Sequence, residues 1–146
     1  WGIIEQVIRA GETYALDREM SEADALAYWL GQDPQTFVAE EDGRAVGTYF
    51  IRRNQAGGGR HVCNCAYITD AAASGRGIAR QMHEHSLAQA GAAGFRAMQF
   101  NFVISSNERA VRLWQQLGFE IVGRLPGAFL HPVHGYVDAL VMFRTL

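Results

Sequence analysis

The apolar positions of the chain change period along its length. Over residues 1 to 11, "WGIIEQVIRAG", Ile3, Ile4, Val7 and Ile8 fall at helical spacing, and Gly11 is placed to end the helix. A second helix is predicted over "SEADALAYWLG", with Ser21 as its cap, Asp24 three residues on, and Pro34 shortly after. The period then shortens. "TFVAEEDGRAVGTYFIRRN" reads as two strands joined at Glu41-Asp42-Gly43, because Asp-Gly suits a two-residue hairpin turn. Gly57-Gly58-Gly59 reads as a flexible loop and "HVCNCAYIT" as a third strand. Residues 75 to 91 read as a helix with Ile78, Met82, His85 and Leu87–Ala88 on one stripe, ended by Gly91 and Gly94. "FRAMQFNFVIS" is almost continuously apolar, as in a strand inside a sheet. "SNERAVRLWQQLG" is a short helix with Ser106 as the expected N-cap and Gly118 past its end. "FEIVGRL" and "YVDALVMFRTL" are two last strands, separated by a loop holding Pro126 and Pro132. The order predicts a single mixed α/β (α+β) domain over residues 1–146.

Composition sharpens this little. At 146 residues, 49% hydrophobic and 19% charged, the chain fits one globular domain with its own core. A net charge of −2 and the lack of a basic block argue against nucleic acid as a partner. No apolar run is long enough for a bilayer, and no signal peptide is visible, so no membrane partner and a cytoplasmic location are expected. Cys63 and Cys65, two apart in a strand, would share one face; they suit two small buried hydrophobes better than a disulfide. The five histidines form no ligand pattern, and no metal is expected.

The candidate chemistry begins at Ser74-Gly75-Arg76-Gly77-Ile78-Ala79-Arg80, a glycine turn between a strand and a helix. It is not a GxGxxG dinucleotide loop, since Arg80 stands in the third glycine position, and no Gly-Lys-Ser/Thr makes it a P-loop. Glycines at a helix N-terminus allow close approach of backbone N–H groups to an anion. Arg76 and Arg80 oppose the helix dipole there, which makes sense beside a bound phosphate. A plain left-handed turn with two solvated arginines is the other reading. Asn64 and Asn101 each interrupt an apolar strand, although asparagine is disfavoured there. Either they are satisfied by an amide pair, a bulge or backbone, or they form the polar floor of a substrate cleft.

With "SSNERAVRLWQQLGF" added, the chain resembles the GNAT N-acetyltransferase superfamily. Its coenzyme A loop reads Gln/Arg-x-x-Gly-x-Gly/Ala, matched here from Ser74 to Ala79. Its later helix reads Asn-x-x-Ala-x-x-Leu-Tyr-x-x-x-Gly-Phe, matched here by Asn107, Ala110, Leu113, Trp114, Gly118 and Phe119. The resemblance implies a mixed central sheet flanked by helices, with the family's first strand falling before Trp1. It implies an acetyl-CoA-dependent N-acetyltransferase, with the cofactor between the strand ending at Thr69 and the strand ending at Ile104. Residues 75 to 80 would hold the pyrophosphate, an N–H near Tyr67 or Ile68 would polarise the thioester carbonyl, and Asn107 would contact coenzyme A. A homodimer is common among such proteins. Two positions depart from the pattern: Ser74 replaces Gln or Arg, and Trp114 replaces the tyrosine that reprotonates the thiolate, a task an indole N–H cannot perform.

Within the superfamily, "HVCNCAY", "FNFVISSNERAVRLW" and "GYVDALVMFRTL" look like N-acetyltransferases acting on proline analogues such as azetidine-2-carboxylate. That likeness implies a small amino- or imino-acid acceptor oriented by Asn64 and Asn101. A looser likeness, through "HGYVD" at His134 to Asp138, is to phosphinothricin-type acetyltransferases and makes His134 a candidate base. A protein N-acetyltransferase and a non-catalytic acyl-CoA sensor are the rival readings.

Overall fold

A computed structural model describes residues 1–31 and 35–146. Pro34 lies outside the described residues. Among the described residues four α-helices, α1 (Gly2–Ala10), α2 (Glu22–Leu30), α3 (Ile78–Ala92) and α4 (Glu108–Gln116), accompany six strands. The strands are β1 (Gln35–Glu41), β2 (Arg44–Arg53), β3 (Val62–Thr69), β4 (Ala97–Ile104), β5 (Glu120–His131) and β6 (Gly135–Thr145). They form one mixed sheet in the order β1-β2-β3-β4-β6-β5, and only β3 and β4 pair in parallel. This is the mixed α/β domain that the pattern predicts.

The expected local signals operate. Gly11 ends α1 in the left-handed region at φ 65°. Ser21 caps α2, its Oγ accepting the Asp24 N–H at 3.1 Å. Asp42 and Gly43, at φ 50° and 76°, close the β1–β2 hairpin between the paired Glu41 and Arg44. Cys63 and Cys65 are both free and buried. Burial holds the Cys65 thiol above its usual range, which keeps it unreactive.

Four expectations are corrected. Gly57–Gly59 form a 3-10 turn rather than a flexible loop, closed by the Arg60 N–H on the Gly57 carbonyl. Asn107, not Ser106, caps α4, its Oδ1 accepting the Ala110 N–H at 3.2 Å. The buried positions of α3 include His83 and Ser86, while His85 and Ala88 are exposed. Pro126 lies inside β5, and the β5–β6 turn is only residues 132 to 134. Pro126 is tolerated because β5 is the sheet's edge and its register with β6 shifts between Leu125 and Phe129. The Gly127 N–H freed in that bulge donates to Asp138 Oδ1 at 2.9 Å, and Arg124 holds Oδ2 at 2.6 Å.

Each face of the sheet has its own core. Helices α1 and α2 bury Ile4, Ile8, Ala25 and Trp29 against Phe50 and Ile68. Helices α3 and α4 bury Ile78, Met82, Trp114 and Leu117 against Tyr49, Cys63, Cys65, Met98 and Phe100. Alternation along the strands decides which residue meets which core.

Candidate active site

The pairing of β3 with β4 is short. Val62 and Cys63 meet Ala97 and Met98, after which the strands separate although each runs on for several residues. The separation is helped by a bulge: between Phe100 and Val103, β4 carries one more residue than its β6 partner. The gap opens a cavity of about 710 Å³. Of the sequence-derived candidates, Asn64, Tyr67, Ile68, Thr69, Ser74, Asn101, Asn107 and Trp114 line it.

One end of the cavity, lined by Ser74, Asn107 and Arg109, abuts the starts of α3 and α4. Gly75 and Gly77 both take φ 82°, a conformation that disfavours any residue with a Cβ. Gly77 is the N-cap of α3 and supplies no side-chain cap, so the first N–H groups of the helix are available to an anion. The N-terminus of α4 lies at the same end, and Arg109 on its first turn donates to Ser74 Oγ at 3.0 Å. Arg109 forms no ion pair among the described residues. It opposes the α4 dipole as Arg76 and Arg80 oppose that of α3, and the same sequence argument could have found it. Gly75, Arg76, Gly77, Ile78, Ala79 and Arg80 follow Ser74 past the cavity wall and do not themselves line it. Arg76 turns away to pair with Glu41.

The middle of the cavity is the edge of β3. The Asp70 N–H donates to the Val46 carbonyl and the Val62 carbonyl accepts from Asn54 N–H, both at 2.9 Å, so even-numbered residues of β3 bond toward β2. Odd-numbered residues turn their N–H and C=O toward the gap. The Tyr67 carbonyl accepts from the Tyr14 hydroxyl at 2.9 Å, which straps the α1–α2 loop across the strand. The Tyr67 N–H faces the gap, while that of Ile68 faces β2. Behind this edge stands Trp114, its ring centre 5.1 Å from that of Tyr67 and 5.0 Å from that of Phe100. No partner holds the Trp114 indole N–H among the described residues, and no buried polar side-chain atom there goes unpaired, so that N–H is open to the cavity. Beneath it, fully buried His83 lies 3.4 Å from Arg144 Nη1 and 3.4 Å from the Tyr67 hydroxyl. Burial, then the charges of Arg144 and Arg80, lower its pKa from the ordinary 6.5 to about 4.

The other end is built from side-chain amides. Asn64, 8% exposed, donates from Nδ2 to the Gln99 carbonyl at 2.9 Å, bridging the parting strands. Asn101 lies within the bulge; its Oδ1 accepts from Gln99 Nε2 at 2.9 Å and its Nδ2 donates to Asn54 Oδ1 at 2.6 Å. Both asparagines are thus hydrogen-bonded to neighbours and line the cavity. Among the further wall residues that sequence reasoning missed are Glu12, Tyr14, Tyr28 and Arg52.

His134 is not brought to this cavity. It sits on the β5–β6 turn, exposed, with its ring 4.5 Å from that of His131. Asp138 of the same motif is occupied in pinning the β5 bulge. Among the described residues no group of three or more His, Cys, Asp or Glu side chains could hold a metal ion, and no helix is long and apolar enough to cross a membrane.

Comparison with known proteins bears directly on this arrangement. The model of the acetyltransferase (GNAT) family matches residues 3–119. A solved GCN5-related N-acetyltransferase from Kribbella flavida is 42% identical, with 99% of this chain and 89% of that chain covered at a TM-score of 0.94. The N-acetyltransferase aca1 of Schizosaccharomyces pombe is 27% identical over 94% of this chain and 74% of its own length. A phosphinothricin acetyltransferase from Sinorhizobium meliloti, solved with AcCoA, shares the fold at 20% identity, with a TM-score of 0.85 over 99% of this chain and 80% of that chain.

Proposed function

The chain belongs to the acetyltransferase (GNAT) family and is an N-acetyltransferase; on that premise we propose that it transfers acetyl from acetyl-CoA to the amine of a small molecule of amino- or imino-acid type. The observation that carries this reading is the cavity in the β3–β4 gap, which abuts the starts of α3 and α4 at one end and is lined by side-chain amides at the other. The AcCoA-bound phosphinothricin acetyltransferase of the same fold supports it. So do the uncapped N-terminus of α3 and the free Arg109, which suit a pyrophosphate.

Bound acetyl-CoA supplies an acyl group activated as a thioester. The backbone N–H groups of residues 75 to 80, with Arg109 and the Asn107 side chain, hold its anionic part. The Tyr67 N–H donates to the thioester oxygen as negative charge develops on it. Asn64 and Asn101 orient the attacking amine, which must first shed a proton, since free amines titrate near ~10. A water held by these amides takes that proton, and Glu12, the one carboxylate on the cavity wall, is the side chain that can receive it. Trp114 cannot protonate a leaving sulfur, so this chain offers no side-chain acid at that position; a coenzyme A thiol, titrating near ~8.5, would not require one. The free thiols of Cys63 and Cys65 suit a reducing compartment, and we take the cytoplasm as the site of action.

The test is thiol release from acetyl-CoA against proline analogues, phosphinothricin-like amino acids, polyamines and short peptides. Turnover of cyclic imino or amino acids is expected. Turnover confined to peptides would move the acceptor to a protein. Silence, with acetyl-CoA still raising the Tm, would leave an acyl-CoA sensor, the reading that Ser74 and Trp114 favour.

A further inference from the structure

Arg52 is the unassigned charge at the acceptor end. It lies on β2 directly opposite Asn64 on β3, so the two side chains share the sheet face toward α1 and α2. Its guanidinium carbon sits 4.8 Å from the centre of the Phe50 ring and 5.1 Å from that of Tyr28, and one Nη2 donates to the Tyr28 hydroxyl at 3.2 Å. Phe50 is fully buried, so this stack has a fixed base. Five arginines, Arg9, Arg44, Arg76, Arg112 and Arg124, each meet a carboxylate; Arg52, like Arg109, lines the cavity and meets none among the described residues. A half-buried guanidinium held by two rings and a phenol keeps most of its five donors for something else.

Asn64 offers the complement. Its Nδ2 is spent on the Gln99 carbonyl, and its Oδ1 accepts from no group among the described residues. Because no buried side-chain polar atom there goes unpaired, that oxygen must open to the cavity. An acceptor for an amine N–H thus stands beside a planar cationic fork, with side-chain origins about 5 Å apart as in any directly opposed strand pair. A carboxylate one carbon away from an amine offers the fork an anion and the amide oxygen an N–H in one small molecule. A polyamine carries no anion for the fork, and a peptide N-terminus has an amide where the carboxylate would be.

We propose that Arg52 is the specificity-determining residue of the acceptor site, receiving the α-carboxylate of a free amino or imino acid while Asn64 Oδ1 accepts from its amine. This rests on the acceptor class proposed above and narrows it to acids over their amides and over peptides.

The test compares matched pairs, azetidine-2-carboxylate with its carboxamide and proline with prolinamide, in the wild type, Arg52→Gln and Arg52→Lys. The wild type should favour the acids by about 10²-fold or more in kcat/KM, as sites that pair a buried polar group reject ligands lacking it. Arg52→Gln should raise KM for the acids until the preference falls to a few-fold, leaving the amides unchanged; Arg52→Lys should fall between, keeping charge without the fork. The acetyl-CoA-induced shift in Tm should be equal in all three, which controls for folding. A wild type that acetylates amides as well as acids, or an Arg52→Gln loss equal for both, overturns the role of Arg52 alone. If none of these amines is acetylated while acetyl-CoA still binds, the acceptor class itself falls and takes this assignment with it.

Discussion

The two ends of the cavity use different materials. The end proposed to face the anion relies on backbone just past the cavity wall: two glycines at φ 82°, an uncapped helix and the start of a second one. The end proposed for the acceptor relies on side chains: Asn64 held by β4, Arg52 held by α2, and Asn101 held by Gln99 of its own strand and by Asn54 just past β2. A backbone site can hold one ligand while most side chains around it vary. A side-chain site changes its ligand with a single substitution. The difference separates the donor, which the family shares, from the acceptor, which each member must choose.

The largest expected effect ignores that division, because it acts beneath the middle of the cavity. His83 packs under Trp114 and Tyr67, and burial holds its pKa near 4 against an ordinary 6.5. A histidine kept neutral by the fold stabilises it fully above pH 6.5. The unfolded chain binds the extra proton as pH falls below 6.5, so stability declines toward pH 4, by about 3 kcal/mol in all. Denaturant melts at pH 7.5, 6 and 5 should show the decline, and His83→Gln should flatten it at a lower overall stability. A wild-type curve flat between pH 7.5 and 5 would remove His83 from this account.

Next comes a substitution confined to the anion end. Gly77→Val places a β-branched residue at φ 82°, where even an unbranched side chain costs about 1–2 kcal/mol. The turn should relax and misdirect the first N–H groups of α3. Calorimetry should show acetyl-CoA binding weakened by roughly 30–100-fold, with the fold retained. Unchanged affinity would mean that the backbone of this turn is not the cradle.

Asn64→Ala should do the reverse. It removes a hydrogen bond to the acceptor and leaves the Gln99 carbonyl unpaired in the gap, a loss of about 1–2 kcal/mol. We expect kcat/KM for a good acceptor to fall by roughly 10-fold or more while acetyl-CoA affinity stays within two- to threefold. Equal losses in both measurements would show that the two ends are one mechanical unit.

The same contrast explains what could be read from the sequence. The glycine turn and the helix starts beside the cavity are legible because their requirements are local: glycines at a helix start, and Asn107 at a fixed distance from Ala110. The cores followed from strand alternation, and the hairpin from Asp42-Gly43. Arg52 was not legible, because in "FIRRN" it looks like one of two solvated charges at a strand end. Only register with Asn64 and the rings of Phe50 and Tyr28 set it apart from Arg53. His83 was mistaken for His85 on the buried stripe because a helix seen from two sides, sheet and α4, buries a wider arc than a simple repeat shows. Pro126 read as a loop because the tolerance of an edge strand depends on knowing which strand is the edge.

The smallest effect concerns His134, which its motif made a candidate base. The ring stands on an exposed hairpin turn, beside His131 and away from the wall of the cavity. His131 does the local structural task, its Nδ1 accepting the Val133 N–H at 3.1 Å and the His134 N–H at 3.3 Å. Those bonds use the backbone of His134 and would survive loss of its side chain. His134→Ala should therefore change stability by no more than about 0.5 kcal/mol, as exposed positions generally do. It should leave kcat/KM within twofold and the pH–rate profile unmoved. A profile that loses its ascending limb near neutral pH in this variant would bring the hairpin into the chemistry. Since His134 lies outside its own cavity, the proton acceptor would then have to be supplied by a moved hairpin or a second copy of the chain.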